Sequence, residues 1–213
     1  MSPIFGFVHK YPGEILYNRH KSNLKETFYM RGNSHLSLGH YIIENYMDNL
    51  PARYHKAFLL GCIEPDRNPM TYFKGSLRAQ WMRGHNYKNA DHFMVKLSNR
   101  LENKEKKFSL LDYYSMGKLI HYTTDAFTYA HNDLFPTDLD QHRAYEVDLQ
   151  NHFLAFMASG PKAEIHPLAS VMETIRENHH EYIRRPCSIY TDTAFAFSVC
   201  CSVASLILLH HII

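Results

Sequence analysis

The residues of this chain that are best suited to chemistry form a series of histidines and carboxylates between positions 121 and 146. The series is His121-x3-Asp125-x5-His131-x10-His142-x3-Glu146. Two of its gaps span four residues, a spacing that places both side chains on one face of a helix, about 5–6 Å apart at Cβ. Imidazole and carboxylate together are ligands that suit zinc. The spacing therefore predicts two ligand pairs, each within reach of a single metal ion.

Each part of this series also has an ordinary explanation. A single histidine on an apolar helix face is most often a hydrogen-bonded core residue, and a His/Asp pair at this spacing is usually a local hydrogen bond. However, the segment 117–131 is otherwise mostly apolar, so the carboxylate of Asp125 is costly to bury unless it is paired or metal-bound. Because two such pairs and an intervening histidine fall within 26 residues, we favour a metal site.

Composition limits the classes of protein to consider. The 213 residues are 45% hydrophobic, which predicts one folded domain over 1–213 with a sizeable core. Lys plus Arg (23) nearly balances Asp plus Glu (21), so net charge favours neither nucleic acid nor an anionic membrane as a partner. Histidine is in excess at 16 residues, which strengthens the case for metal chemistry.

Cysteine usage and the two ends of the chain bear on its location. The four cysteines form no zinc-binding pair motif and no disulfide framework, which fits a reducing compartment. The first 21 residues lack the apolar stretch of a signal peptide, so we expect a cytoplasmic protein.

Residues 194–213 carry no Asp, Glu, Lys or Arg and approach membrane-spanning length. Because serine, cysteine and histidine dilute this run, we favour a buried apolar terminal helix over 190–213 to a membrane tail anchor.

The hydrophobic pattern predicts an all-α fold, a single compact multi-helix domain of seven to nine helices. The predicted helices cover 34–49 (with Ser34 as N-cap), 52–61, 89–103, 109–129, 142–157, 168–184 and 190–211, and residues 1–31 form an N-terminal extension. Prolines at 65 and 69 predict a rigid loop that carries Asp66. In the helix 109–129 the predicted core residues are Leu110, Leu111, Tyr114, Met116 and Leu119. The two ligand pairs then lie on separate helices, which predicts two adjacent metal positions where these helices meet.

The sequence resembles the zinc-dependent phospholipase C family, which is related to the single-strand-specific S1/P1-type nucleases. The resemblance rests on five segments in the family's order, GNSHLSLGHYIIE (32–44), GCIEPD (61–66), RGHNYKNA (83–90), GKLIHYTTDAFTYAHN (117–132) and HRAYE (142–146). Each segment is weak by itself, whereas the ordered set is specific. The resemblance implies a compact all-helical domain with three zinc ions at the bottom of a cleft.

Position by position, the resemblance also implies which residues hold each ion. The first zinc would be held by Asp66, His85, His121 and Asp125, with His92 as the alternative to His85. The second would be held by His131, His142 and Glu146. The third would be held by His35, with Asp125 bridging it to the first.

The chain departs from the family at this third position. Secreted members complete it with an N-terminal tryptophan that processing exposes, whereas here 34 residues precede His35 and the single tryptophan is Trp81. A third ion would need other ligands, such as His9, His20 or His40. We therefore expect two zinc ions, with the third position dependent on such substitutes.

The implied activity is hydrolysis of a phospholipid or of a smaller phosphodiester by a metal-activated water, with Asp66 orienting that water and accepting its proton. Tyr72 and Phe73 either line the cleft or pack in the core.

One alternative to this activity is a single-strand nuclease, which needs a basic groove that the charge balance does not support. The other is a non-catalytic protein stabilised by zinc, whose terminal segment docks to a membrane or a partner. Structural zinc sites are usually closed, whereas three protein ligands at the second position leave it open.

Overall fold

Seven α-helices and one 3-10 turn make up the regular structure of the residues that the computed structural model describes, which are 24–67, 87–133 and 139–209. The helices are α1 (Leu24–Tyr46), α2 (Ala52–Arg67), α3 (Tyr87–Glu102), α4 (Leu110–Ala126), α5 (Leu139–Ala158), α6 (Val171–Tyr182) and α7 (Ile189–Leu209). The 3-10 turn spans Tyr129–His131, between α4 and α5. These ranges contain no strand, so the predicted all-α class is confirmed.

The helix at the centre of the fold is α4. It packs against α1, α2, α3 and α7. From Asp112 to Ala126 every residue is buried except Tyr114 and Lys118, which are partly buried. A helix that is enclosed on all sides places any polar side chain it carries inside the protein. The residues His121 and Asp125 are therefore interior groups.

A buried carboxylate fixes the start of α4. Asp112 Oδ2 accepts hydrogen bonds from the backbone N–H of Ser109 at 2.9 Å and from its hydroxyl at 2.6 Å. Arg100 donates to Asp112 Oδ1 at 2.8 Å, and Lys104 lies 3.1 Å from Oδ2. Burial would raise the pKa of Asp112, but these donors hold it below its ordinary value. The first turn of α4 is thereby tied to the end of α3.

Two glycines let α2 and α4 approach closely. A Cβ atom at Gly61 would lie 2.1 Å from the carbonyl oxygen of Tyr114, and one at Gly117 would lie 2.1 Å from that of Phe58. Beside this contact, Lys118 Nζ forms an ion pair with Glu64 at 2.8 Å. The close approach brings the last turn of α2, which carries Asp66, against the middle of α4.

The prediction that α2 ends at Gly61 and that Asp66 lies in a loop is wrong. The helix continues through Pro65 to Arg67, so Asp66 lies on its last turn. Gly61 serves the contact with α4 and does not end the helix. Pro65 lacks the N–H group of one helical hydrogen bond. The helix nevertheless continues past it, and Pro65 is buried in the packed part of α2. Arg67 is the last residue of this helix and of this described range.

Two smaller predictions also fail. Ser34 is not an N-cap, because α1 begins ten residues earlier at Leu24; residues 24–33 contain no proline that would prevent this. Leu110 and Leu111 are 46% and 55% exposed, because the first turn of α4 lies at the surface. Met116 and Leu119 are fully buried, as predicted.

The apolar helix α7 packs against α1, α4, α5 and α6. Among the described helices it is the one that is long and apolar enough to cross a membrane, and 78% of its apolar window is buried inside the protein. It also buries polar residues, namely Asp192, Thr193 and Ser202. In this fold α7 is a core helix, and its last described residue is Leu209.

The contact of α2 with α4 predicts that its two glycines tolerate substitution by alanine much less well than a glycine outside the contact. Substituting Gly61→Ala or Gly117→Ala should lower the free energy of unfolding by about 3 kcal/mol, because the added methyl meets backbone that cannot rotate away. Urea denaturation measures this loss. The matched control is Gly32→Ala in α1, whose Cβ would lie 3.9 Å from Ile63. Gly32→Ala should leave the free energy of unfolding unchanged or raise it, because alanine has a higher helix propensity than glycine. Equal losses at all three positions would contradict the proposed close contact.

Candidate metal centre

Five elements of the fold contribute histidines and carboxylates to one region. Within the described residues these side chains form two groups, each with potential ligand atoms within 4.8 Å of one another. The first group is His35, His121 and Asp125, and the second is His131, His142 and Glu146. Asp66 lies beside the first group. His85, His9, His20, Tyr72 and Phe73 lie outside the described residues.

In the first group two imidazoles face one carboxylate. His35 Nε2 lies 3.3 Å from Asp125 Oδ1, and His121 Nε2 lies 3.3 Å from Asp125 Oδ2. The two rings stack with their centroids 4.1 Å apart. Asp66 completes the cluster at 3.9 Å from His35 Nε2 and 3.7 Å from His121 Nε2. With zinc–ligand bonds of about 2.0–2.1 Å, neighbouring ligand atoms of a tetrahedral site lie about 3.4 Å apart. The distances therefore fit ligands that surround a zinc ion.

The hydrogen bonding of His121 supports this fit. Its Nδ1 lies 2.8 Å from the backbone carbonyl oxygen of Cys62. Since a carbonyl only accepts, Nδ1 must donate, and the neutral ring then presents a lone pair at Nε2. Burial and the neighbouring His35 lower the pKa of His121, which favours that neutral ring. A lone pair that faces carboxylates is repelled unless a cation lies between them. A ring whose second nitrogen is held by a carbonyl is the usual setting of a zinc-bound histidine.

Asp125 connects the two groups. Its Oδ2 lies 3.4 Å from Nδ1 of His131, in addition to its contact with His121. Burial would raise the pKa of this carboxyl, but His131 and His121 lower it well below its ordinary value. Because Nδ1 of His131 faces Asp125, the opposite ring nitrogen faces the second group. The same carboxylate thus contacts the first group and orients a member of the second.

The second group lies nearer to solvent. Glu146 Oε1 is 3.3 Å from His131 Nε2 and 3.1 Å from His142 Nε2. The side chain of His142 is 28% exposed, whereas that of His121 is fully buried. Among the described residues this group has three protein ligands, which in a four-coordinate site leaves one place for water or substrate.

The carboxylates make the whole region favourable for a cation. Burial by itself would lower the pKa values of His35 and His131, but the neighbouring carboxylates together raise them, Asp125 with Asp66 at His35 and Asp125 with Glu146 at His131. The pKa of His131 stands well above its ordinary value, because Glu146 adds to the effect. A field that stabilises protonated histidine also stabilises a divalent cation. The donor set of imidazole and carboxylate is one that suits zinc.

His35 contacts Oδ1 of Asp125, whereas His121 contacts Oδ2. This geometry fits one ion shared by the first group, and it equally fits the separate ion at His35 that Asp125 would bridge to the first zinc. His92 is exposed on α3 and packs against Phe93, and it belongs to neither group. His40 is exposed on α1 and also belongs to neither.

The 3-10 turn that carries His131 is held by contacts that the sequence did not predict. Asn132 Nδ2 donates to the carbonyl oxygens of Ala126 at 3.1 Å and Thr128 at 2.8 Å. Asn132 Oδ1 lies 2.9 Å from Nε2 of His179, a buried residue of α6. Burial lowers the pKa of His179 to about 4, so this ring is neutral and donates to the amide oxygen. The two partners are 47 residues apart, and no local spacing signals their contact.

One of three comparisons with known proteins found a match. The family model for zinc-dependent phospholipase C matches residues 34–196, which include Asp66 and both groups. The comparisons with curated proteins and with solved structures found no match. The matched segment covers well over half of the 213 residues, and the chain therefore belongs to the zinc-dependent phospholipase C family.

Proposed function

We propose that this chain is a zinc-dependent hydrolase that cleaves the phosphodiester of a phospholipid and releases the phosphorylated headgroup. The observation that carries the proposal is the junction at Asp125, which faces imidazoles of both ligand groups within 3.4 Å. Two adjacent cation positions on either side of one carboxylate are suited to a phosphate diester, because the attacking and leaving oxygens both gain negative charge.

We propose two zinc ions. One lies among Asp66, His121 and Asp125 with His35 at its edge, and His85 is proposed as a further ligand from the family pattern. The other lies among His131, His142 and Glu146. A third ion at His35 would be an addition to this pair, and elemental analysis of the unmodified protein would count it.

Zinc bound at these positions supplies Lewis acidity and a water nucleophile at neutral pH. The proposed role of Asp66 is to hold that water by a hydrogen bond and to accept its proton. Two features support the role. The side chain of Asp66 is 16% exposed, whereas that of Asp125 is 7% exposed. Asp66 also stands farther from the Nε2 atoms of His35 and His121, at 3.9 and 3.7 Å, than Asp125 does, at 3.3 Å from each.

In the proposed reaction the oxygen of water forms the new bond to phosphorus, and the bond from phosphorus to the glycerol oxygen breaks. The glycerol oxygen takes up a proton and leaves as diacylglycerol. His142, whose side chain is 28% exposed, marks the more open end of the site, where a phosphate would enter. The near balance of Lys plus Arg (23) and Asp plus Glu (21) favours a single phosphodiester over a polyanionic nucleic acid.

The zinc content of variants tests the two positions. Asp125→Asn should weaken the binding of both ions, because Asp125 contacts both groups. Glu146→Gln should weaken one ion only. Each affected ion should bind about 100-fold more weakly or worse, since even indirect partners of zinc ligands are worth 10–100-fold. Elemental analysis after dialysis, followed by titration against a chromophoric chelator, measures the number and the affinity.

The matched control for this experiment lies on α1. His35→Gln removes a histidine of the first group, whereas His40→Gln removes an exposed histidine five residues later on the same helix. Only the former should change zinc binding. Fewer than two ions in the unmodified protein, or an equal effect of both substitutions, would argue against the assignment.

The activity is tested by release of phosphorylated headgroup from a short-chain glycerophospholipid, alongside digestion of single-stranded DNA. Asp66→Asn should lower kcat for headgroup release by about 10²–10⁴-fold when assayed at a zinc concentration that fills both positions, because general-base assistance is worth that much. DNA digestion without headgroup release would assign the site to a nuclease instead. Bound zinc with neither activity would support a structural role for the metal.

A further inference from the structure

A buried carboxylate outside both ligand groups joins the two elements that supply the second group. Asp192 lies in the first turn of α7 and is fully buried. Its Oδ2 accepts two hydrogen bonds, one from the backbone N–H of Tyr129 at 2.8 Å and one from the hydroxyl of Tyr145 at 2.8 Å. Its Oδ1 accepts a third from the hydroxyl of Tyr182 at 2.8 Å. A buried charge is tolerated when it is hydrogen-bonded in this way.

Both hydrogen-bond donors to Asp192 Oδ2 lie on segments that carry members of the second group. Tyr129 is the first residue of the 3-10 turn whose last residue is His131. Tyr145 lies on α5 directly before Glu146 and three residues after His142. A single oxygen atom of Asp192 therefore ties together the two segments on which the second group is built. The rings of Tyr129 and Tyr145 also pack edge to face, with centroids 5.8 Å apart.

The third hydrogen bond comes from no segment that carries a member of the second group, although the helix of its donor contacts Asn132 separately through His179. Tyr182 is the last residue of α6, a helix that contributes to neither ligand group. Asn132 separately holds the turn against the end of α4, through the carbonyl oxygens of Ala126 and Thr128. The contact through Tyr145 is thus a link from α5 to the turn, whereas the contact through Tyr182 anchors the carboxylate itself.

We infer that Asp192 is a positioning residue for the second zinc, which it serves by fixing α5 against the 3-10 turn through Tyr145. This inference rests on the proposed function. The distance from His131 Nε2 to Glu146 Oε1, which is 3.3 Å, depends on the separation of these two segments. Metal ligands that are held at their correct separation before binding lose less entropy when the ion arrives, so loss of the tie should weaken that ion selectively.

The test compares two substitutions that each remove one hydroxyl from the same carboxylate. Tyr145→Phe should weaken the second zinc about tenfold and leave the affinity of the first unchanged. Tyr182→Phe is the matched control and should change neither affinity by more than about twofold, although both variants should lose similar unfolding free energy. Stepwise zinc titration of the folded full chain against a chromophoric chelator measures the two affinities, and Glu146→Gln identifies which step belongs to the second ion.

Two results would overturn the inference while the proposed function stands. One is a protein that binds two ions with both affinities unchanged by Tyr145→Phe, and the other is an equal loss in both tyrosine variants. Asp192→Ala gives a further check, since it removes the acceptor of both hydrogen bonds, from Tyr129 and from Tyr145, and should weaken the same ion in the same direction. If the unmodified protein binds no ion at the second group, the proposed function fails, and the inference fails with it.

Discussion

A carboxylate inside a protein stays ionised only where neighbouring groups supply hydrogen bonds or positive charge, and Asp125 imposes this requirement on the whole molecule. Three imidazoles surround Asp125, each within 3.4 Å of a carboxylate oxygen. The rings of His35 and His131 can donate a proton to the carboxylate, whereas the lone pair at Nε2 of His121 requires a cation between that ring and the carboxylate. The three rings arrive on three separate elements, α1, α4 and the 3-10 turn. The packing of these elements is therefore constrained by one charge. The arrangement that satisfies Asp125 also points ring nitrogens at positions where a divalent cation is favoured.

The rest of the fold maintains that convergence. The contact of Gly61 with Gly117 sets how near α2 comes to α4, and with it the position of Asp66 and of the carbonyl that holds His121. Asp112 fixes where α4 starts. As a result the site has a deep end, where His121 is fully buried, and a more open end at His142. This gradient suits a hydrolase, because ions need a dry and rigid setting while the phosphate needs access.

Local spacing predicted the parts of the site that depend on a single helix. The pairs His121/Asp125 and His142/Glu146 meet because residues four apart share a helix face, whatever surrounds the helix. Features that depend on how helices meet were not predictable in this way. Gly61 looked like a helix end because glycine serves both turns and close contacts, and the sequence does not distinguish these uses. The stacking of His35 on His121 depends on contacts between distant segments, as does the network around Asp192. These have no periodic signal.

The most direct test of the account is anomalous diffraction at the zinc absorption edge from crystals of the full chain grown with zinc. The account predicts two strong peaks on either side of Asp125, one among Asp66, His121 and Asp125 and the other among His131, His142 and Glu146. Crystals that show no anomalous peak at either position, with Asp125 held by protonated histidines alone, would contradict it.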